Sequence, residues 1–342
     1  MKKLLAVSAL ALGVGLAGAA KAEQWNMQST YPGSLTQLGT LGKHVAEQLK
    51  LVSNGEVELV FQEPGALVPA LEVFDAVASG AVETGWSTPG YWAGKVPALQ
   101  LFAAVPFGPQ AGEYIAWLKF GGGKELFEEI YHEQGIHGVH CGVIAPEASG
   151  WFRTEIKSTD DLKGLKMRFF GLGAKVMEKM GVSTQLLAGG DIFPALELGT
   201  IDATEFSMPA IDLNLGFYQV AKHYYFPGWH QQATMFDLMI NLDLWESLDD
   251  TTKAQIETVC DAAIAYGLAE GEAIQFEALQ ELEANGVTIH QWPPEVLAEL
   301  EAAWEEVLAE LVAEDEDFAR VWASLSEFRG NYKKWKDLGY LK

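Results

Sequence analysis

Apolar and polar positions alternate from Glu56 to Gln62, with Val57, Leu59 and Phe61 on one face, and a period of two predicts a half-buried strand. Gln24 to Thr30 predicts a first strand, ended by Tyr31-Pro32-Gly33. Between the two, a helix is expected over roughly Ser34 to Val52, stopped by Ser53-Asn54-Gly55. The turn Glu63-Pro64-Gly65 leads to a helical stretch, Leu71 to Ser79, and then a strand from Val82 to Ser87. Strands alternating with helices predict an α/β fold with substantially parallel pairing.

The pattern has an internal echo. Val73 to Glu83 ends a helix and starts a strand, and Ile192 to Asp202 repeats it, with phenylalanine, alanine and glycine at matching offsets. Each glycine suits a left-handed turn at a helix end. The echo predicts two α/β lobes of similar build, with Trp86 and Glu205 at equivalent strand ends. Ligands of open α/β sheets sit beyond the carboxyl ends of strands, so two such lobes face to face form a cleft. Thr251 to Ala284 predicts one helix on the order of 50 Å long, which Gly267 and Gly271 could bend. It would serve as a spine shared by both lobes. A strand at Val287 to Gln291, then helices at Glu295 to about Ala313 and Phe318 to Phe328, complete the pattern.

Residues 1–22 change the picture. Lys2 and Lys3, the apolar run Leu4 to Leu16 and the Ala20-Lys21-Ala22 site predict an export leader cleaved near Ala22. No later uncharged run is long enough for a membrane span. The formal charge of −24 becomes −27 without the leader, which carries three lysines and no acid. Such a charge argues against nucleic-acid and membrane-surface partners. Cys141 and Cys260 are the only cysteines; an oxidising compartment would permit a pair, and two separate buried thiols are the favoured expectation.

Familiar catalytic motifs are missing: neither G-x-S-x-G nor H-E-x-x-H occurs. Gly121-Gly122-Gly123-Lys124 is followed by Glu125 where a phosphate loop needs Ser or Thr, and predicts a helix-entry turn instead. His132 has no partner four residues on, and His137 and His140 are expected at the surface. Lys166-Met167-Arg168-Phe169 predicts a strand, and Gly171-Leu172-Gly173 opens a helix. An arginine there combines a forked cation with a helix N-terminus, the chemistry of a carboxylate site, although a surface ion pair is its plainer use. Glu205 at a strand end needs a partner or a cation if buried, and Glu147 precedes Ser149-Gly150-Trp151 in a loop. Trp86, Tyr91, Trp92, Trp151 and Trp229 serve equally as pocket walls or as core.

Several segments resemble one family. Phe107-Gly108 with Glu113 to Gly123, Gly150-Trp151-Phe152-Arg153, Leu165-Lys166-Met167-Arg168, Gly216 to Lys222 and Tyr224 to Trp229 are similar to the solute-binding subunits of tripartite ATP-independent periplasmic (TRAP) transporters. The likeness spans nearly all of the chain after the leader and is strongest to members that bind 2-oxo acids or related monocarboxylates. It implies a two-lobed periplasmic binding protein fold with a long spine helix and an interdomain cleft. Lobe I would hold 23–146 plus about 235–274. Lobe II would hold 147–234 plus about 275–342 and the C-terminal helices. Arg168 would anchor the carboxylate, with Glu147, Phe206, Tyr91 and Trp86 around the substrate. A sodium or calcium ion would bridge protein and ligand through Glu205, Glu147, Phe206 and Gln231. The resemblance further implies a periplasmic location, TRAP membrane subunits as partners and homodimers through C-terminal helices.

The chain departs from that pattern. Glu147 stands where a Gln of a Q-x-G-G-W-F motif is expected, Phe206 replaces a Trp, and Gln231 takes the place of an acid. Two other functions fit the same residues: an exported hydrolase with Glu147 and Glu205 as acid and base, and a ligand-sensing module for a membrane receptor.

Overall fold

The computed structural model describes residues 23–341, so the expected leader and its cleavage site lie outside the described residues. The strands are β1 (Glu23–Ser29), β2 (Val57–Gln62), β3 (Thr84–Ser87), β4 (Ile136–Ile144), β5 (Gly150–Phe152), β6 (Lys166–Arg168), β7 (Ser183–Gln185), β8 (Ala203–Thr204), β9 (His223–Phe226), β10 (Thr234–Asn241) and β11 (Thr288–Gln291). The helices are α1 (Leu38–Val52), α2 (Val73–Ala78), α3 (Ala111–Phe120), α4 (Gly123–His132), α5 (Gly171–Lys179), α6 (Gly189–Glu197), α7 (Pro209–Leu215), α8 (Leu242–Ser247), α9 (Asp250–Ala284), α10 (Pro294–Glu314) and α11 (Glu316–Gly339).

Two sheets form, each with one reversed strand. The first has the order β2-β1-β3-β10-β4, and the second β11-β9-β5-β8-β6-β7. In the first, β1 pairs parallel with β2 and β3, while β10 runs antiparallel to β3 and β4. In the second, β5 runs antiparallel to β8 and β9, and the remaining pairs are parallel. The reversed strands are the first ones laid down after the chain crosses between sheets, at β4 to β5 and at β9 to β10. The two sheets are the frames of lobes I and II.

The echo is structural. Gly80 (φ +73°) ends α2 and Gly199 (φ +72°) ends α6, each with its N–H on a helix carbonyl, Val77 O and Leu196 O. A left-handed residue costs glycine nothing, and each turn aims the chain into a strand, β3 or β8. The equivalent residues then diverge. The Trp86 indole packs under α1 and donates to Leu38 O at 2.7 Å, whereas Glu205 follows β8 into the space between the lobes.

The spine helix α9 runs unbroken for 35 residues, capped by the Asp249 side chain on Thr252 N. Its glycines permit close approach. A Cβ at Gly267 would stand 3.1 Å from Leu41 and 3.3 Å from Val143 O, and one at Gly271 would stand 3.2 Å from the Gln37 amide. β4 is an edge strand, yet all nine of its residues are buried, because α9 and α4 cover it.

That packing overturns three expectations. Cys141 on β4 and Cys260 on α9 form a disulfide, with Cα atoms 4.1 Å apart across 119 residues of sequence, where two thiols were expected. His137 and His140 are buried on β4 at 4% and 7% exposure, not at the surface. His137 stacks on Trp245 and His140 packs on Phe127, and burial pushes each imidazole down to about 3. Finally, α11 does not stay with lobe II. It returns to lobe I, where Trp117 Nε1 donates to Ser324 Oγ at 3.1 Å and Arg329 reaches Glu113 and the Phe107 carbonyl.

Candidate ligand and cation site

Arg168 ends β6 and is 1% exposed. Parallel pairing of β6 with β8 sets Arg168 opposite Thr204 and so beside Glu205. Nη1 donates to Glu205 Oε1 at 2.7 Å and to Glu205 O at 3.0 Å, and Nε donates to Leu187 O at 3.2 Å. Among the described residues Nη2 has no such partner, and the side chain lines a cavity between the lobes. The N–H of Phe170, at the entry to α5, donates to Glu205 Oε1 at 2.5 Å. The expected anion-binding turn is therefore partly filled by the protein's own carboxylate.

Glu147 sits on the loop from β4 to β5, laced to the loop before β10. Its N–H donates to Gln231 O, and its carbonyl accepts from Gly228 N at 2.8 Å. A Cβ at Gly228 would lie 2.3 Å from Glu147 O, so only glycine allows this approach. The Glu147 Oε1 atom accepts from Thr234 Oγ1 at 3.1 Å and Ser207 Oγ at 3.4 Å. Ser207 is held from below: its N–H donates to Asp212, which also accepts from Trp151 Nε1 and Tyr224 Oη.

His230, which the sequence reading passed over, completes the cluster. Its Nε2 lies 3.6 Å from Glu205 Oε2 and 4.0 Å from Glu147 Oε2. The three residues each offer a ligand atom, all within 4.8 Å of one another and all buried. Both ring nitrogens of His230 and both Oε2 atoms lack hydrogen-bond partners among the described residues. The signal for His230 was its place directly after Pro227-Gly228-Trp229, one residue ahead of Gln231.

Burial pushes the Glu147 carboxyl well up, reinforced by the charges of Glu205 and Asp212. Burial acts the same way on Glu205, but Arg168, His230 and the Phe170 amide outweigh it, and Glu205 lies below its ordinary value. Asp212 is pushed up to about 7, mainly by burial. Without a cation, then, the cluster tends to hold Glu147 protonated and Glu205 charged. A cation between them favours both as carboxylates.

The cavity holds about 270 Å³, and both lobes line it. Tyr31, Tyr91 and Phe236 come from lobe I, and Phe170 and Phe206 from lobe II, with Arg168 and Glu147 at the polar end. The guanidinium lies over the Phe206 ring, 5.1 Å from its centre. Gln231 lines the cavity as well: its amide nitrogen donates to Thr234 Oγ1, and its buried Oε1 has no hydrogen-bond partner among the described residues. Trp86 does not reach this lining. A larger cavity of about 570 Å³ lies inside lobe I, but its two lysines are already paired, Lys119 with Asp261 and Lys124 with Glu257. The smaller interlobe cavity, with its unpaired donors, is the candidate site.

The profile of the bacterial extracellular solute-binding proteins of family 7 matches residues 28–315. A monocarboxylate 2-oxoacid-binding periplasmic protein of Nostoc sp. (strain PCC 7120) is 36% identical over 321 residues, covering 93% of this chain and 87% of that protein. A TRAP transporter solute-binding protein from Bordetella bronchiseptica superposes with a TM-score of 0.91 at 33% identity, covering 93% of this chain and 95% of that one. It was crystallised as a mixed-occupancy dimer, with copurified calcium and picolinate in one active site and the other site apo. A TRAP periplasmic solute-binding protein from Pseudoalteromonas atlantica, with bound sodium and pyruvate, gives 0.88 at 32% identity, covering 93% of this chain and 97% of that one.

Proposed function

Because this chain belongs to the bacterial extracellular solute-binding proteins of family 7, we propose that it captures a small 2-oxo acid or related monocarboxylate for a TRAP transporter. Arg168 Nη2 takes the ligand carboxylate. A cation joins that carboxylate to Glu147 and Glu205, and the aromatic walls exclude water. The observation that carries this reading is the convergence of two unpartnered carboxylate oxygens beside a buried arginine that keeps one nitrogen free. Three anions in a dry cavity repel one another unless a cation stands between them.

The same reading makes the chain a binding subunit that hands its ligand to membrane partners. It has no catalytic role for Glu147 and Glu205, whose free oxygens converge on one point instead of flanking a scissile bond. It also places the mature protein in the periplasm, cleaved near Ala22. Trp335, Leu338 and Tyr340, exposed on and just after α11, support a homodimer through the C-terminal helices.

Calorimetry with pyruvate tests the function, using protein stripped with a chelator and then given calcium or sodium separately. Binding is expected only with a cation present. Arg168→Ala should weaken it on the order of 100-fold or more, since losing one partner of a buried charged pair costs about 3–5 kcal/mol. Arg168→Lys should weaken it less, because charge survives while the fork is lost. Arg168 also braces Glu205, so a melting curve accompanies each variant. Near-normal affinity in a folded Arg168→Ala protein removes Arg168 from the site, and binding that survives cation removal removes the metal.

A further inference from the structure

Phe170 belongs to lobe II by its place in the chain and to lobe I by its packing. It stands between β6 and α5, two residues after Arg168, yet its ring meets Tyr91 of lobe I edge-on, with centroids 5.0 Å apart. We infer that Phe170 is the latch of the closed form, a positioning residue whose ring seats in a notch that Gly90 leaves open and so holds the two lobes together around the ligand. The inference rests on the closing cleft of the proposed function and goes beyond it by naming the contact that sets how long the cleft stays shut.

The notch exists because residue 90 has no side chain. A Cβ there would stand 2.3 Å from Phe170 Cζ and 2.9 Å from Cε1, closer than packed carbons come, and 3.0 Å from the Ala103 Cβ that forms the floor. Gly90 is not among the glycines with a positive φ, so its bareness makes room for the ring and is not required by the turn. Phe170 and Tyr91 are both buried, although they come from opposite lobes. When the lobes part, the ring returns to water, and that apolar area opposes opening. Phe170 also lines the ligand cavity, but Gly90 does not, so the notch lies on the side of the ring away from the ligand.

The root of the latch is tied to the ligand site. The Phe170 N–H donates to Glu205 Oε1, which also accepts from Arg168 Nη1. Gly171 then turns the chain into α5 with a φ of +61°, a conformation that favours glycine. The backbone on either side of Phe170 is thereby set, and the ring is aimed at lobe I. Whatever holds Glu205 in place holds the base of the latch, so assembly of the site and closure of the cleft share one residue. A second contact across the gap, from Thr36 Oγ1 to Asn214 Oδ1 at 2.8 Å, is exposed, and water can replace it.

The test uses the full mature protein with pyruvate and either calcium or sodium, read by calorimetry and by stopped-flow release. Phe170→Leu shortens the side chain and should weaken pyruvate binding roughly tenfold, with most of the loss in faster release. Gly90→Ala lies outside the cavity lining and should weaken it on the order of 10- to 100-fold. In the double variant the added methyl enters space the ring has left, so the loss should stay within about threefold of Phe170→Leu alone. Thr36→Ala, the control, should stay within about threefold of wild type. A melting curve without ligand accompanies each variant; if Gly90→Ala does not fold, faster release from Phe170→Leu with unchanged association remains the criterion. Wild-type release from Gly90→Ala, or losses that simply add in the double variant, overturns the latch while pyruvate binding leaves the transport reading intact. If the wild type binds pyruvate under neither cation, the transport reading falls, and small-angle scattering of the ligand-free protein judges the latch. A larger radius of gyration for Gly90→Ala than for wild type then supports it, and equal radii overturn it.

Discussion

His140 shows how one side chain ties this fold to pH. Its folded value is about 3, against an ordinary 6.5, because burial disfavours the charged ring. Lys119 on α3 and Lys124 on α4 push the same way, while Glu257 and Asp261 on α9 share its cavity. Between those values the unfolded chain binds a proton that the folded chain refuses. The stability is fully present above 6.5 and is lost as pH falls toward 3. His140→Phe keeps a flat ring against Phe127 and removes the proton. The wild type should lose about 1.4 kcal/mol more than the variant per pH unit across that window, read from denaturant unfolding at several pH values. Parallel slopes would mean that His140 is charged in the folded protein. Among site residues, legibility followed the kind of signal. Arg168 and Glu205 stood at strand ends beside glycine turns, and the structure brings them together. His230 carried no periodicity and no second histidine at metal spacing, so its only sequence signal was its place between Pro227-Gly228-Trp229 and Gln231, and its position beside Glu147 and Glu205 marks it out in the structure.

At the scale of elements, the long apolar runs were legible and the short ones were not. β2 and α9 match their expected spans to within a residue or so, because alternation and helix formers persist there over many residues. The helix expected from Ser34 begins only at Leu38, since Gln37 takes a positive φ and sends its amide to Gly267 O. β8 is two residues long, too short to alternate, and only the echo, which set Glu205 at a strand end, marked it in the sequence. The disulfide was invisible for a different reason: pairing Cys141 with Cys260 requires α9 to lie along β4, a contact between distant parts of the chain. Both cysteines are fully buried where the spine meets lobe I. Replacing both with serine should lower unfolding stability by about 2–4 kcal/mol, measured by urea denaturation. It should leave ligand affinity close to the wild type's, because the bridge lies within lobe I. A variant as stable as the wild type would show that packing of α9 alone holds the spine.

For the whole molecule, the candidate cavity is lined from both lobes, and a hinge between them is the expected route of ligand entry. Small-angle scattering should give a larger radius of gyration for the stripped protein than for protein saturated with cation and pyruvate. Equal radii, with binding proven by calorimetry, would mean that entry uses local motion instead. The two-lobed plan was legible from the echo and the spine. The return of α11 to lobe I was not, because nothing in an amphipathic helix names the surface it will cover.

The reversed strand β10 has a consequence for how this chain comes into being. It lies between β3 and β4, yet it is made only after nearly all of lobe II. Lobe II in turn waits for β11 to close its own edge. A growing chain emerging from its amino end therefore cannot finish either half before most of the other has appeared. Cutting between β4 and β5 would leave the first sheet without β10 and strand β10 unpaired in the other fragment, so lobe I is not a module that can be borrowed, swapped or expressed alone.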